Sequence, residues 1–271
     1  MTARATRTEP QTREYLERTA VFTTGEFRAA LAPGTNASTV NNRLLQAYRR
    51  GHVERVTRGV YVSRLGLFRE RVPDPLVVAS KLVPDSVIAY HSALEAHGVA
   101  HSPFTRVTFL TASTPVRLSY RGYEFVGLAP KPRQLKEETW RASVEPTRRG
   151  QDLLWVTSRE RTLVDCLDRL QWSGGPEELF RSLGGFPSVN VDKVVGYLDA
   201  LQSAAVSARV AWVLFARPDL WHLTDADRGQ FRSRLGKGPH FFGRRTSAMC
   251  FVPEWSLYVP ADLDPAEFMS A

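Results

Sequence analysis

Thr39, Asn42, Arg43, Gln46, Arg49 and Arg50 recur at spacings that gather them on one side of a helix. Their side chains share a chemistry. Arg donates a parallel pair of hydrogen bonds to guanine O6 and N7. Asn and Gln pair in the same two-pronged way with adenine N6 and N7. Arg55 and Arg58 follow around a turn, and such cations suit phosphate oxygens or a narrow minor groove. The expected division is that Thr39, Asn42, Arg43 and Gln46 read base edges. Ser38, Arg49, Arg50, Arg55 and Arg58 would hold the backbone or the minor groove. Any one of these residues alone is what a solvated helix face carries; the combination points to duplex DNA.

The elements that must position them can be read from the same stretch. Pro10 suits the first turn of a short helix bearing Tyr15 and Leu16. A second helix follows Phe22, with Thr23 or Thr24 as its cap and Glu26 placed to close a capping box with Thr23. Phe27, Ala30 and Leu31 form its apolar stripe, and Ala32-Pro33-Gly34-Thr35-Asn36 breaks it. The third helix is predicted over Ser38–Arg50, with Ser38 as N-cap, Val40, Leu44, Ala47 and Tyr48 inward, and Gly51 in the left-handed stop. Residues 52–56 and 60–62 read as two strands around the tight turn Thr57-Arg58-Gly59. Helix, helix, turn, helix and hairpin is the order of a winged helix–turn–helix.

Charge sharpens this reading. The chain carries a net +8, and its first 72 residues hold thirteen Arg, no Lys, six Glu and no Asp, a local balance of +7. The cationic character therefore belongs to one small module, the footprint expected of a nucleic-acid binder. Arg rather than Lys fits, because its planar fork matches phosphate and guanine.

At 271 residues the chain has room for two domains. Residues 1–12 read as a flexible tail without the apolar run of a secretory signal. Residues 13–70 are the expected DNA-binding domain, and 69–75, charged and proline-bearing, the expected linker. Residues 75–271 read as a mixed α/β domain, so the fold class is α+β. Helices are predicted at 76–82, 87–98, 158–170, 177–183, 191–202 and 204–216. Strands are predicted at 106–111, 116–120, 123–128, 153–156, 249–251 and 255–259. Cys166 and Cys250 form no paired motif and read as reduced thiols of a cytoplasmic protein. No apolar run is long enough to span a membrane.

The body offers little chemistry. A restriction-type nuclease site needs a carboxylate two residues before a Lys. The five Lys, at 81, 131, 136, 193 and 237, are preceded there by Ala79, Ala129, Gln134, Val191 and Leu235. Phosphate-loop and nucleophile-elbow motifs are missing. His91, His97 and His101 with Glu95 lack zinc-site spacing and read as packing or capping residues. Asp165 and Asp168, beside Arg161 and Arg169, read as surface ion pairs. Trp155, Trp172, Trp212, Trp221 and Trp255 read as core or interface anchors. The expectation is no catalytic residues, no metal and no cofactor.

Several segments resemble a known family. FTTGEFRAAL and STVNNRLLQAYRRGHVERVTRGVYV, AYHSALEAHG at 89–98, SRERTLVDCLDR at 158–169 with the following Gly174-Gly175, and WSLYVP at 255–260 are similar, in that order, to the AbiEi family of antitoxin-repressors. Ser256 stands where the family pattern has Asn. The resemblance implies a cytoplasmic bacterial protein that represses its own operon by binding repeats in its promoter through a winged helix. It also implies a C-terminal domain that counteracts an AbiEii-like nucleotidyltransferase toxin, in a system linked to phage defence. An enzyme acting on nucleic acid and a ligand-sensing regulator are the alternatives.

Overall fold

Leu16 is buried on the inner side of α1 (Glu9–Arg18), and Tyr15 packs its ring edge-on against Phe22 and Phe27. The computed structural model describes residues 9–245 and 248–269. The tail expected over 1–12 lies outside the described residues up to residue 8, and residues 9–12 are the start of α1. Strand β1 (Val21–Thr23) leads directly into α2 (Thr24–Ala29), where Thr23 and Glu26 close the expected capping box. Helix α3 (Ala37–Arg49) ends at Gly51, whose φ of +69° is the left-handed conformation that favours glycine. Strands β2 (Val53–Thr57) and β3 (Val60–Ser63) turn at Gly59, also left-handed. The three strands form an antiparallel sheet in the order β1-β3-β2. Phe22, Phe27, Leu31, Val40, Leu44 and Val53 build a small core between helices and sheet.

The body is organised by a six-stranded mixed sheet. After α4 (Pro75–Leu82), capped by Asp74, come β4 (Val87–Ile88), α5 (His91–Ala96), β5 (Arg106–Leu110), β6 (Arg117–Tyr120) and β7 (Tyr123–Leu128). Then come α6 (Pro132–Lys136), β8 (Val144–Arg149) and β9 (Asp152–Thr157). The strand order is β6-β7-β5-β4-β9-β8. The single helix expected over 87–98 is thus a buried central strand followed by a shorter helix. Tyr90, with φ +57°, breaks the backbone between them. Strand β8 went unanticipated because Pro146 sits inside it; β8 is an edge strand, where a missing N–H is tolerated.

Helices α7 (Arg159–Asp168), α8 (Pro176–Gly184), α9 (Val191–Leu201), α10 (Ala204–Leu214) and α11 (Asp225–Arg232) follow. Strands β10 (His240–Phe241), β11 (Met249–Val252) and β12 (Leu257–Pro260) make a second body sheet, ordered β10-β12-β11, before α12 (Pro265–Phe268). Among the described residues no helix is long and apolar enough to cross a membrane.

One core lies among α5, α7–α11 and the C-terminal sheet, holding Leu94, Leu163, Leu167, Phe180, Val213 and Leu257. Another joins Leu76, Val78, Ile88, Phe125 and Val156 to Val21, Val60 and Val62 of the N-terminal sheet. The N-terminal module therefore shares a core with the body. Polar contacts pin the same junction. Glu54 pairs with Arg64 (2.6 Å) and with Arg121 of the β6–β7 turn (2.6 Å), Lys81 with Glu26, and Asp74 with Arg149 (2.6 Å). The segment expected as a linker is held too: Arg64 Nη1 donates to the Arg71 carbonyl (2.8 Å), and Pro73 is buried.

Arg161 and Asp165 are not the surface pair their sequence suggests. Arg161 is only 1% exposed. Its Nε donates to Asp165 (3.0 Å), and Nη1 donates to the carbonyls of Trp140 and Ala142 (2.7 and 2.6 Å). The Tyr197 hydroxyl donates to the other Asp165 oxygen (2.7 Å). Helix α7 is buried over most of its surface, so its charged residues must find partners inside the protein. Asp168 instead pairs with Lys131 (2.7 Å). Cys166 is fully buried, and burial pushes its thiol well above the ordinary value.

Asp165→Ala leaves Arg161 Nε and the Tyr197 hydroxyl without their shared acceptor, and the buried guanidinium without its counter-charge, and is expected to cost about 3–5 kcal/mol. Urea unfolding measures it; a loss below about 1 kcal/mol, typical of surface pairs, would contradict the assignment. Burial alone would raise the Glu54 carboxyl, but hydrogen bonds from Arg121 and Arg64 outweigh it and hold the group down at about 2, below its ordinary 4.5. A depressed carboxylate stabilises the fold above its unfolded value and loses that contribution as pH falls from about 4.5 towards 2. The urea midpoint should fall over this window, and Glu54→Gln should flatten that part of the profile. Superimposable wild-type and variant profiles would contradict it.

Candidate nucleic-acid interface

The outward direction of α3 is set by its buried side. Val40, Leu44 and Ala47 point into the small core, so Ser38, Asn42, Leu45 and Arg49, at helical spacing, point directly away from it. Gln46 is also exposed, while Thr39 and Arg43 sit on the flank and are half-buried. Of the expected base readers, the structure therefore aligns Asn42 and Gln46 outward and holds Thr39 and Arg43 at the margin. The Nη1 of Arg43 is buried without a hydrogen-bond partner. Arg50 is exposed at the helix end.

Two local expectations are corrected. The N-cap is Asn36, whose Oδ1 accepts from Thr39 N (2.8 Å); Ser38 lies inside the first turn, and its hydroxyl donates to the same Oδ1 (2.9 Å). Tyr48, expected in the core, is 53% exposed, and Leu45 is 46% exposed. The core behind α3 is narrow, and Ala47 fills the inward position at that turn. Asn41, Leu45 and Tyr48 were missed as surface residues. Their signal was angular: each lies on the far side of the outward line from Arg43.

The hairpin is anchored beside the helices. Gly59 O accepts from Thr24 N (2.9 Å), tying the β2–β3 turn to the start of α2. A bulge between Arg55 and Thr57 re-aims β2. Arg55 is exposed, with Nε donating to the Thr57 carbonyl (3.2 Å), and Arg58 is exposed at the turn. Among the described residues Arg49 and Arg58 have no ion-pair partner.

Among the described residues no carboxylate pairs with Arg49 or Arg58 on this face. The chain has no carboxylate between Glu26 and Glu54. Those two glutamates are taken up by Lys81, Arg64 and Arg121 at the junction with the body, and Glu14 and Glu17 pair with Arg18 and Arg13 along α1. For Glu26, burial would raise the carboxyl, but the bonds from Lys81 and Thr23 outweigh it and keep it ionised.

His91 and His97 are held by fixed neighbours, whereas His101 is exposed. His91 is buried and stacked on Phe104 (3.8 Å between ring centroids), with its two nitrogens 3.1 Å from Glu95 and from Glu178. Those carboxylates accept from the backbone N–H groups of Phe104 and Ser102, which fastens the loop after α5 to α8. His97 Nε2 contacts the Thr157 carbonyl (2.7 Å), and its burial lowers its proton affinity. Among the described residues no three His, Cys, Asp or Glu side chains gather as a metal-binding group. Trp212, Trp221 and Trp255 are buried and Trp172 is half-buried, whereas Trp155 is exposed.

No family model matches the sequence, and no curated protein matches it. Among solved structures, the chain is similar in fold to the RV2827C protein from Mycobacterium tuberculosis. The TM-score is 0.60 at 14% identity, covering 95% of this chain and 91% of that one. A likeness at that identity concerns the fold alone.

Asn36→Ala removes the cap and is expected to lower stability by about 1 kcal/mol, whereas Ser38→Ala should change it by less than half as much. Thermal or urea unfolding of the two variants compares them directly. The reverse order would return the cap to Ser38.

Proposed function

We propose that the N-terminal module is a winged helix–turn–helix, with α3 as recognition helix and the β2–β3 hairpin as wing, and that it binds duplex DNA in a sequence-dependent way. The observation that carries this reading is the outward line of α3, where Asn42, Gln46 and Arg49 stand exposed with no carboxylate nearby in the chain. Asn42 and Gln46 suit adenine edges. Arg49, Arg50 and Arg58 suit phosphate, and Arg55 suits phosphate or the minor groove.

The wider reading rests on the sequence resemblance to the AbiEi family. In it the chain is a non-enzymatic, cytoplasmic repressor of its own operon and the antitoxin to an AbiEii-like nucleotidyltransferase toxin. The shared core between module and body favours a repressor whose DNA-binding face is held fixed.

Arg49→Ala and Arg58→Ala should weaken binding to every duplex and lower the slope of log affinity against log salt by roughly 0.9 for each phosphate no longer neutralised. Asn42→Ala should instead cost about 1–3 kcal/mol on the preferred site alone and relax preference at one base pair. Fluorescence anisotropy on matched and scrambled duplexes separates the two effects. Unchanged salt slopes and unchanged preference would place recognition elsewhere. For the antitoxin half, co-expression with the neighbouring gene should restore growth, and the Asn42→Ala, Arg49→Ala double variant should lose operon repression while still restoring it. No rescue by the wild-type chain would remove the antitoxin reading.

A further inference from the structure

The C-terminal sheet presents an aromatic row on its outer face. Strand β12 is its centre, with Leu257 and Val259 buried beneath it and Tyr258 facing the other way. Cross-strand register places Phe241 of β10 and Phe251 of β11 on either side of Tyr258. The rings of Phe241 and Tyr258 lie 5.1 Å apart and nearly parallel (13°), and those of Phe251 and Tyr258 lie 4.9 Å apart. The row spans all three strands, and Phe251 at its end is 46% exposed.

Cross-strand aromatic pairs stabilise a sheet by themselves, so the row alone would be unremarkable. Its charge setting is different. From residue 237 to residue 260 the chain has Lys237, Arg244 and Arg245 but a single carboxylate, Glu254. Glu254 is already engaged by Arg228 and Arg232 (2.6 and 2.8 Å). Lys237, Arg244 and Arg245 are exposed and have no ion-pair partner among the described residues. The Arg245 guanidinium sits 5.2 Å from the centre of the Phe241 ring, at one end of the row. An aromatic row ending in an exposed ring, with unneutralised arginines nearby in the chain, is the combination that takes an unpaired base by stacking and phosphates by charge.

We propose that this face binds single-stranded nucleic acid, with a base stacking on Phe251 at the exposed end of the row and phosphates held by Arg244 and Arg245. The site is separate from the duplex-binding face of α3 and does not depend on that reading. A duplex cannot use it, because paired bases keep their faces stacked on one another.

The test is fluorescence anisotropy of the full chain with labelled twelve-residue oligouridylate and oligothymidylate single strands. The wild type should bind at low salt, and preference between the two strands tells whether RNA or DNA is favoured. Phe251→Leu keeps an apolar side chain on the edge strand but removes the ring, and should weaken binding at least about fivefold, the lower end for removing one base stack. The Arg244→Ala, Arg245→Ala double variant, altered only at exposed positions, should lower the salt slope by roughly 0.7 for each phosphate no longer neutralised. Arg49→Ala should leave single-strand affinity unchanged. The proposal fails if the wild type binds neither strand, which would leave the face to a protein partner. It also fails if both C-terminal variants bind as the wild type does, or if Arg49→Ala alone abolishes single-strand binding.

Discussion

The sharing of a core between the N-terminal sheet and the body governs how the molecule presents itself. Val21, Val60 and Val62 are buried in the same cluster as Leu76, Ile88 and Phe125. Pulling the module away would expose that apolar surface to water, at roughly 25 cal/mol for each Å² uncovered. It would also strip Glu54 of Arg121 and Glu26 of Lys81. Glu26 and Glu54 are engaged at this junction, whereas Arg49 and Arg58 are exposed and have no ion-pair partner among the described residues. One interface thereby fixes the orientation of α3.

Several buried polar residues of the body tie its elements together. Arg161 and Asp165 hold α7 to the segment around Trp140 and to Tyr197. His91, between Glu95 and Glu178, clamps the loop after α5. Each is buried with its hydrogen-bonding capacity met by fixed neighbours, the condition for keeping a polar group inside a protein. Buried pairs of this kind are costly to break rather than strongly stabilising in themselves.

Much of the module was legible because its signals are local. The Thr23–Glu26 capping box, the stop at Gly51 and the turn at Gly59 each follow from one or two residue types at fixed spacing. Choosing Asn36 over Ser38 as cap was beyond such signals, since both types cap well and only the backbone path separates them. Tyr48 looked internal because an apolar spacing cannot tell how wide the core behind a helix is. In the body, β4 was hidden inside an apolar run, where a strand buried on both faces has no alternation to read. The burial of Asp165 was hidden for the converse reason: a charged residue on a helix reads as exposed until its neighbours are known. Strand β1, three residues long, has no periodicity at all, yet it is the strand that joins the module to α4.

The claim that α3 reads duplex DNA is tested most directly by binding of the purified full chain to the DNA upstream of its own gene, compared with scrambled duplex of equal length, as salt is varied. Tight binding to the upstream sequence that falls steeply with salt, and much weaker binding to the scrambled duplex, is the expected result. Equal, weak binding to both would contradict sequence recognition by α3 and leave the arginines of the module as a general polyanion surface.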